Sequence, residues 1–598
     1  MEILKRTGII LVMISLALMS ALLFTGKYRL ADEAIAESNM SGTQRDAFRE
    51  SVRGLSGETL ASKFRFISRL NDAFDKANRQ ITESHSVSED EIDQLARLFR
   101  QQSPIGYSTD SAAKVFPGSD PVAKAKRKGV GDYSSWLGER EFEDYENFKS
   151  QLAQSIDNYN KDVADQLGFR SNRIRSLTFY FVRTSYSGWI TRFPALMLIL
   201  TIGLLTAGTL MYTLPRFNEG EAGIKNDDTF RNSLTSIGWS GIIAGILLIL
   251  FYCVLYWFPH WIAEWTLLLD PVSRWMSGRP ADHWFFYGFF YSWAILFLGL
   301  KFLTKYRHSR LQQIRTWSVI FFQLLFAFAL PHILFTLNLP EVDLKNIWPL
   351  DYTFFFEWRI DQYMEAGALG IFFFGWGVAL IVIGVPVITY FFGKRWYCSW
   401  VCGCGGLAET AGDPFRHLSD KGLRAWRIER ILVHSVLLFA VVMTGWVLYT
   451  FFSGKSVWLG ISSYKVREVY GFLIGAVFAG VIGVGFYPFM GSRVWCRFGC
   501  PLAAYLGIVQ RFKSRFRITA NGGQCMSCGN CSTYCEMGID VRAYAQKGQN
   551  IIRASCVGCG ICAAVCPRGV LRLENKKEKG RFNTPVLLGN DGYISNRK

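Results

Sequence analysis

CMSCGNCSTYCE (525–536) and CVGCGICAAVCP (556–567) share the spacing Cys-x2-Cys-x2-Cys-x3-Cys, and every cysteine of the first recurs 31 positions later in the second. The unit is duplicated. Such a run suits a cubane [4Fe–4S] cluster, because three thiolates on one tight loop grip three irons while the fourth comes from elsewhere; in two-cluster ferredoxins the fourth Cys of each run ligates the other cluster. One cluster is therefore expected on Cys525, Cys528, Cys531 and Cys566, and the other on Cys556, Cys559, Cys562 and Cys535. Structural zinc more often uses two Cys-x2-Cys pairs. Glu536 stands where the second run has Pro567, so the turn after that ligand is expected to loosen, or the potential to shift, with no ligand lost.

Upstream, YCSWVCGCG (397–405) and WCRFGCPLAAY (495–505) add Cys398, Cys402, Cys404, Cys496 and Cys500. Each follows the end of a long apolar run. A Cys-x3-Cys pair at two helix exits on one face can meet as a four-thiolate site for a third Fe–S or other metal centre. The alternatives are a reversible dithiol or thiols that pack the helix ends. Cys404 is left over by a site of four.

The chain around these motifs has 598 residues, 50% hydrophobic, 15% aromatic and 19% charged, whereas soluble domains run near about 25% charged. It reads as a membrane protein. Apolar runs of about 20 residues, long enough to cross a bilayer, occur near 8–24, 193–213, 236–257, 284–303, 316–337, 369–392, 430–452 and 469–489, which makes about eight spans. None of these contains Asp or Glu, so ion pumping is not expected. The glycines of GFLIGAVFAGVIGVG (471–485) suit close helix packing.

Loops rich in Lys and Arg lie on the cytoplasmic side. Loop 301–315 has five basic residues and no acid, and segment 491–517 holds Arg493, Arg497, Arg511, Lys513, Arg515 and Arg517, also without an acid; loop 338–368 is acidic and is expected outside. The cysteine-rich elements then face the cytoplasm, a reducing compartment that disfavours disulfides. This asymmetry accounts for most of the net charge of +18, with no need of nucleic acid. Residues 1–27 read as a membrane anchor in preference to a cleaved signal peptide, since no small-residue cleavage site follows the apolar run. Residues 28–190 are expected to be an exported helical domain; Ser88 and Glu91 form a capping box there, Ile92, Leu95 and Phe99 share a face, and His85 reads as a solvated surface residue.

His332 and His434 lie most of a bilayer apart, while His260 and His283 reach the outer boundary and leave only a minor place for an outer haem or quinone; Cys253 reads as packing. The remaining chain divides into a seven-span membrane domain (191–515), an α+β two-cluster ferredoxin module (516–575) and a basic tail (576–598). The whole is mainly α-helical and polytopic.

Two membrane-exit Cys-x3-Cys elements, the second followed by Pro501, and then a tandem [4Fe–4S] module resemble the NapH- and NosR-type membrane polyferredoxins over about 370–580. The family's first element usually ends Cys-Pro, whereas Gly403 follows Cys402 here. NosR-type proteins are similar to flavin carriers in their exported domain, but MSGTQRDAF (40–48) is a poor match to the attachment signal, so no covalent flavin is expected. The resemblance implies single-electron transfer between a quinol pool or cytoplasmic donor and a partner reductase, in the cytoplasmic (inner) membrane with the ferredoxin module on the cytoplasmic side. An alternative is a redox assembly or maintenance factor for a metal centre in an exported or membrane partner enzyme.

Overall fold

The computed structural model describes residues 2–100, 109–118, 121–140, 142, 144–217, 238–454, 457–575 and 581–582. The tail from 576 lies outside them except for Arg581 and Phe582. Two compact units form, one of Met1–Met19, Ala195–Trp257 and Leu268–Lys598, the other of Ser20–Pro194 and Phe258–Leu267.

In the larger unit the apolar runs become helices, since with no water to satisfy the backbone each N–H and C=O must pair within its own segment. Among the described residues seven helices are long and apolar enough to cross a membrane: Glu2–Leu22, Pro194–Thr213, His283–Lys305, Arg310–Thr336, Gly367–Phe392, Leu423–Ser453 and Ser463–Gly485. An eighth counts only if Gly241–Trp257 and Pro259–Leu268 are taken as one span. The helix of the third expected span (236–257) runs unbroken over Trp239–Trp257, and the break follows it. Pro259 lacks an N–H and crowds the residue before it, and Phe258 leaves the helical region at φ −131° and ψ 46°. Counted with that pair, the fifth, sixth and eighth spans each carry π-helical turns, at Phe322–Ala329, Leu380–Gly384 and Gly471–Ile482, the kind of local widening that recurs at functional positions.

The loop after the fifth span, expected on the outer side, packs among the spans. Trp348 donates from Nε1 to Thr444 Oγ1 at 3.0 Å, Phe354 stacks on Phe374 at 5.4 Å, and Tyr352 sits against Tyr470 and over Gly471 and Gly475. Residues 342–344 and 346–348 share a cavity with Phe373, Trp376, Leu380 and Ile381. Ile381 lies about 21 Å along its helix from Gly367, at about 1.5 Å per residue, so this segment dips among the spans instead of lying over them. Irregular backbone is tolerated at that depth where protein surrounds it. The dip also brings in carboxylates that the spans lack: Asp343, paired with Lys345 at 2.8 Å, and Asp351.

The ferredoxin module belongs to the same unit and is α+β. Strand Arg517–Gly522 pairs antiparallel with Leu571–Glu574, Arg517 opposite Glu574 and Ala520 opposite Leu571, and parallel with Arg581–Phe582. One short helix follows in each half of the duplication, Asn530–Thr533 and Ile561–Ala564.

The smaller unit is helical, closed by a three-stranded antiparallel sheet in which Tyr28 stands opposite both Leu60 and Tyr186. The capping box is present: Glu91 Oε2 accepts from Ser88 N at 2.8 Å and Ser88 Oγ from Glu91 N at 3.3 Å. Leu95 and Phe99 are fully buried. His85 is half-buried rather than solvated, its Nδ1 3.1 Å from the Ile81 carbonyl oxygen at its helix's end. Within MSGTQRDAF, Ser41 caps the helix Gly42–Ser51 in a reciprocal pair with Gln44. Glu264, outside the spans drawn from sequence, is fully buried and paired with Lys63, and its Oε1 accepts from Tyr28 Oη at 2.5 Å.

Candidate metal centres

The duplicated runs fold into two cradles. Cys525, Cys528, Cys531 and Cys566 line one cavity; Cys535, Cys556, Cys559 and Cys562 line another. The fourth cysteine of each run crosses to the other's cavity. The loops follow one plan, because Gly529 and Gly560 both take a left-handed conformation (φ +85° and +78°) one residue before the short helix, a geometry that costs glycine little. Ser527 and Gly558, again 31 apart, also match at φ +61° and +63°.

The donor set fits a cubane. Each cavity offers four sulfurs, and backbone amides point at them: Ile539 N lies 3.4 Å from Cys535 Sγ, and amides of Gly558 and Ser532 serve Cys556 and Cys531. Burial pushes the free thiol of Cys556 up to about 11 and that of Cys531 up to about 12. Thiolates are therefore costly in these cradles until a cation takes them up, which couples cluster binding to proton release. Among the described residues no three His, Cys, Asp or Glu side chains converge on a single-ion point.

The surroundings differ. In the first cradle Met526, Ser527 and Cys528 are exposed, whereas their counterparts Val557 and Gly558 are buried and Cys559 is half-buried. The second cradle is docked on the membrane-exit segments: Ser399 Oγ donates to Val557 O at 2.8 Å, Gln312 Nε2 to Cys559 O at 2.9 Å, and Gln510 Nε2 to Cys556 O at 2.8 Å.

Glu536 explains its own presence here. It is buried, its Oε2 accepts from Arg416 Nη1 at 2.6 Å, Oε1 lies 3.0 Å from Arg493 Nη2, and it hydrogen-bonds the Cys559 thiol. Burial opposes its charge, but Arg416 and Arg493 hold its carboxyl below the ordinary range. Ser419 Oγ donates to its carbonyl at 2.8 Å, so the turn that the missing proline was expected to loosen is tied down.

Arg493 carries the link onward. Its Nη1 donates to Cys398 O at 3.1 Å and lies 3.8 Å from Cys496 Sγ, while Nη2 donates to Glu409 Oε1 at 2.8 Å; Arg315 meets the same carboxylate at 2.6 Å. Arg493 and Arg497, counted as topogenic loop charges in the sequence, are thus buried ion-pair partners, Arg497 with Glu429 at 2.7 Å. Sequence reasoning missed this cluster. Its signal was the placing of Arg493 and Arg497 on either side of Cys496, and of Glu409 and Asp413 soon after Cys402.

Cys398, Cys402, Cys496 and Cys500 are all buried, and the thiols of Cys398, Cys496 and Cys500 each feel the charge of Cys402. Cys402 and Cys500 are helix N-caps, and Cys500 Sγ accepts from Ala503 N at 3.4 Å. Cys404 is half-buried beside them: it donates to Cys402, which lowers the Cys402 thiol, and it feels the charge of Cys496 and Cys500 as well. Polar groups from the fifth span aim the intervening loop: Ser318 Oγ donates to Trp400 O at 3.0 Å and Gln323 Nε2 to Val401 O at 2.7 Å. A Cβ on Gly403 would fall 2.6 Å from Gln323 Oε1 and 2.7 Å from Tyr291 Oη, so a side chain there would have to displace these two polar groups. Lys345 of the inserted loop comes near enough to Cys402 to favour its thiolate. His332 packs on Phe285 and Phe328, and His283 on Trp284.

The chain matches two families, one described as a 4Fe-4S binding domain over 374–422 and 472–519, the other as a 4Fe-4S dicluster domain over 524–571. The first match contains both membrane-exit elements. Similar proteins include the putative electron transport protein YccM of Escherichia coli, 26% identical over 27% of this chain and 46% of that one. The methylamine utilization ferredoxin-type proteins MauN of Paracoccus denitrificans (30% identical, 30% of this chain and 63% of that one) and of Methylobacillus flagellatus (27%, 26% and 53%) are also similar. The chain spans about half the length of these curated relatives. No solved structure matches it. The matches agree with a polyferredoxin: the chain carries 4Fe-4S binding domains of ferredoxin type.

Proposed function

We propose that the chain is a cytoplasmic-membrane electron carrier with three thiolate sites in line. Cys525, Cys528, Cys531 and Cys566 hold the outermost cluster, Cys556, Cys559, Cys562 and Cys535 the middle one, and Cys398, Cys402, Cys496 and Cys500 a third centre at the membrane surface. The observation that carries this reading is the docking of the second cradle on the membrane-exit segments through Ser399, Gln312 and the Glu536–Arg493 link. Bound clusters supply one-electron storage, at potentials set by burial and hydrogen bonds to sulfur. The protein's own share is to expose one cradle, bury the next, and place fixed charges between the second cradle and the membrane-exit thiols.

The names of the relatives favour electron transport. On this reading single electrons pass between a quinol pool or cytoplasmic donor and a partner reductase, with the cradles cytoplasmic and 28–190 exported. Mixing the anaerobic protein with a water-soluble reductant tests the order. The membrane-surface centre should reduce after the outer cluster, and Cys559→Ser should leave it oxidised while the outer cluster still reduces. Equally fast reduction of the membrane-surface centre in that variant would overturn the line.

A further inference from the structure

A cavity of about 370 Å3 opens where the seventh span (Leu423–Ser453) starts, walled also by helix Pro501–Lys513 and the loop at Arg553–Ser555. Its lining is largely apolar, with Val433 and Ile508 among the side chains, and Cys496 forms part of the wall. The charged lining is one-sided: Lys394, Arg430, Arg497, Arg511 and Arg553 against Glu429. Glu429 is already taken by Arg497 Nε at 2.7 Å. Arg497 is 3% exposed, yet its Nη2 has no hydrogen-bond partner among the described residues. A buried guanidinium N–H left without an acceptor is costly, so the site calls for one. Trp426, with Arg430 at 5.3 Å and Arg553 at 4.8 Å from its ring, fixes two of these cations at the mouth. Exposed Ile431, Ile508 and Phe512 beside it present the apolar surface expected of groups that face acyl chains.

We propose that this cavity binds an anionic phospholipid. Its phosphate accepts from Arg497 and from the Arg430 and Arg511 rim, and an acyl chain runs along Val433 and Ile508. Charge selects the occupant: basic pockets at the ends of membrane helices take anionic head groups, whereas a neutral head group gives so many guanidiniums nothing to neutralise. The lipid would then close the cavity wall at Cys496.

The test uses the full chain, delipidated in neutral detergent and titrated with phosphatidylglycerol, phosphatidylcholine or inorganic phosphate, with bound lipid counted by native mass spectrometry. Phosphatidylglycerol should bind at least tenfold more tightly than phosphatidylcholine, resist displacement by inorganic phosphate, and lose that preference in Arg430→Gln/Arg511→Gln. These two side chains are exposed, so the variant folds. Equal binding of the two lipids, a preference that survives the double substitution, or displacement by phosphate alone would overturn the proposal. So would one-for-one displacement by a short-chain quinone, which would give the cavity to a neutral redox head group.

Discussion

The two cradles of the ferredoxin module have the same cysteine spacing and the same backbone turns, yet one meets solvent and the other meets protein. At the turn inside Cys-x2-Cys the first has Ser527, at φ +61° with its neighbours exposed; the second has Gly558, at φ +63°, where a Cβ would lie 2.6 Å from Arg395 Cβ and 2.9 Å from the Phe516 ring. After the last cysteine of each run, the first has Glu536, buried among arginines, and the second has Pro567, exposed. A duplicated motif thus binds the same group twice, while the residues between the ligands decide what each copy touches.

The largest effects should come from the ligands. Cys528→Ser and Cys559→Ser should each cost about four irons per chain, one cubane, measured as iron and acid-labile sulfide; loss of all iron in either variant would mean that the cradles do not fill independently. Next, Glu536→Gln leaves Arg416 and Arg493 buried with half their partners. Breaking such pairs costs about 3–5 kcal/mol, and denaturant titration followed by cluster absorbance should show the docked cluster, assigned by its EPR signal, lost first. If the exposed cluster fails first, the contrast between the copies is wrong.

Gly558→Ala both strains a left-handed residue and intrudes on Arg395, and should destabilise by about 1–3 kcal/mol. Ser527→Ala at the open copy should change stability by less than about 0.5 kcal/mol, as surface substitutions do. Smallest of all, Ser527→Gly should relieve its strained turn while freeing the unfolded chain, a net change of at most about 0.3 kcal/mol, read as a midpoint temperature that barely moves.

Much of this was legible in the sequence, because cysteine spacing and apolar run length are local signals. The cradles, the spans and the capping box at Ser88 all follow from residues within a few turns of one another. The end of the third span before Pro259 is local in the same way. What sequence could not give was long-range pairing. Arg315 and Arg493 look like ordinary topogenic charges until Glu409 and Glu536 arrive from other segments to meet them. The loop 338–368 reads only as acidic and outward because its packing partners, Thr444, Tyr470 and Phe374, lie in other spans. Glu536 was visible as a departure from its own repeat, and the departure marked the face that docks.

The central claim is that the membrane-exit cysteines extend the pair of cradles to a third site. Iron and acid-labile sulfide on anaerobically purified protein, with and without Cys398→Ser/Cys496→Ser, test it most directly. The account predicts about twelve irons per chain, falling to about eight in the double variant with the two ferredoxin signals intact by EPR. About eight irons in both proteins would contradict it and leave the membrane-exit thiols without a cluster.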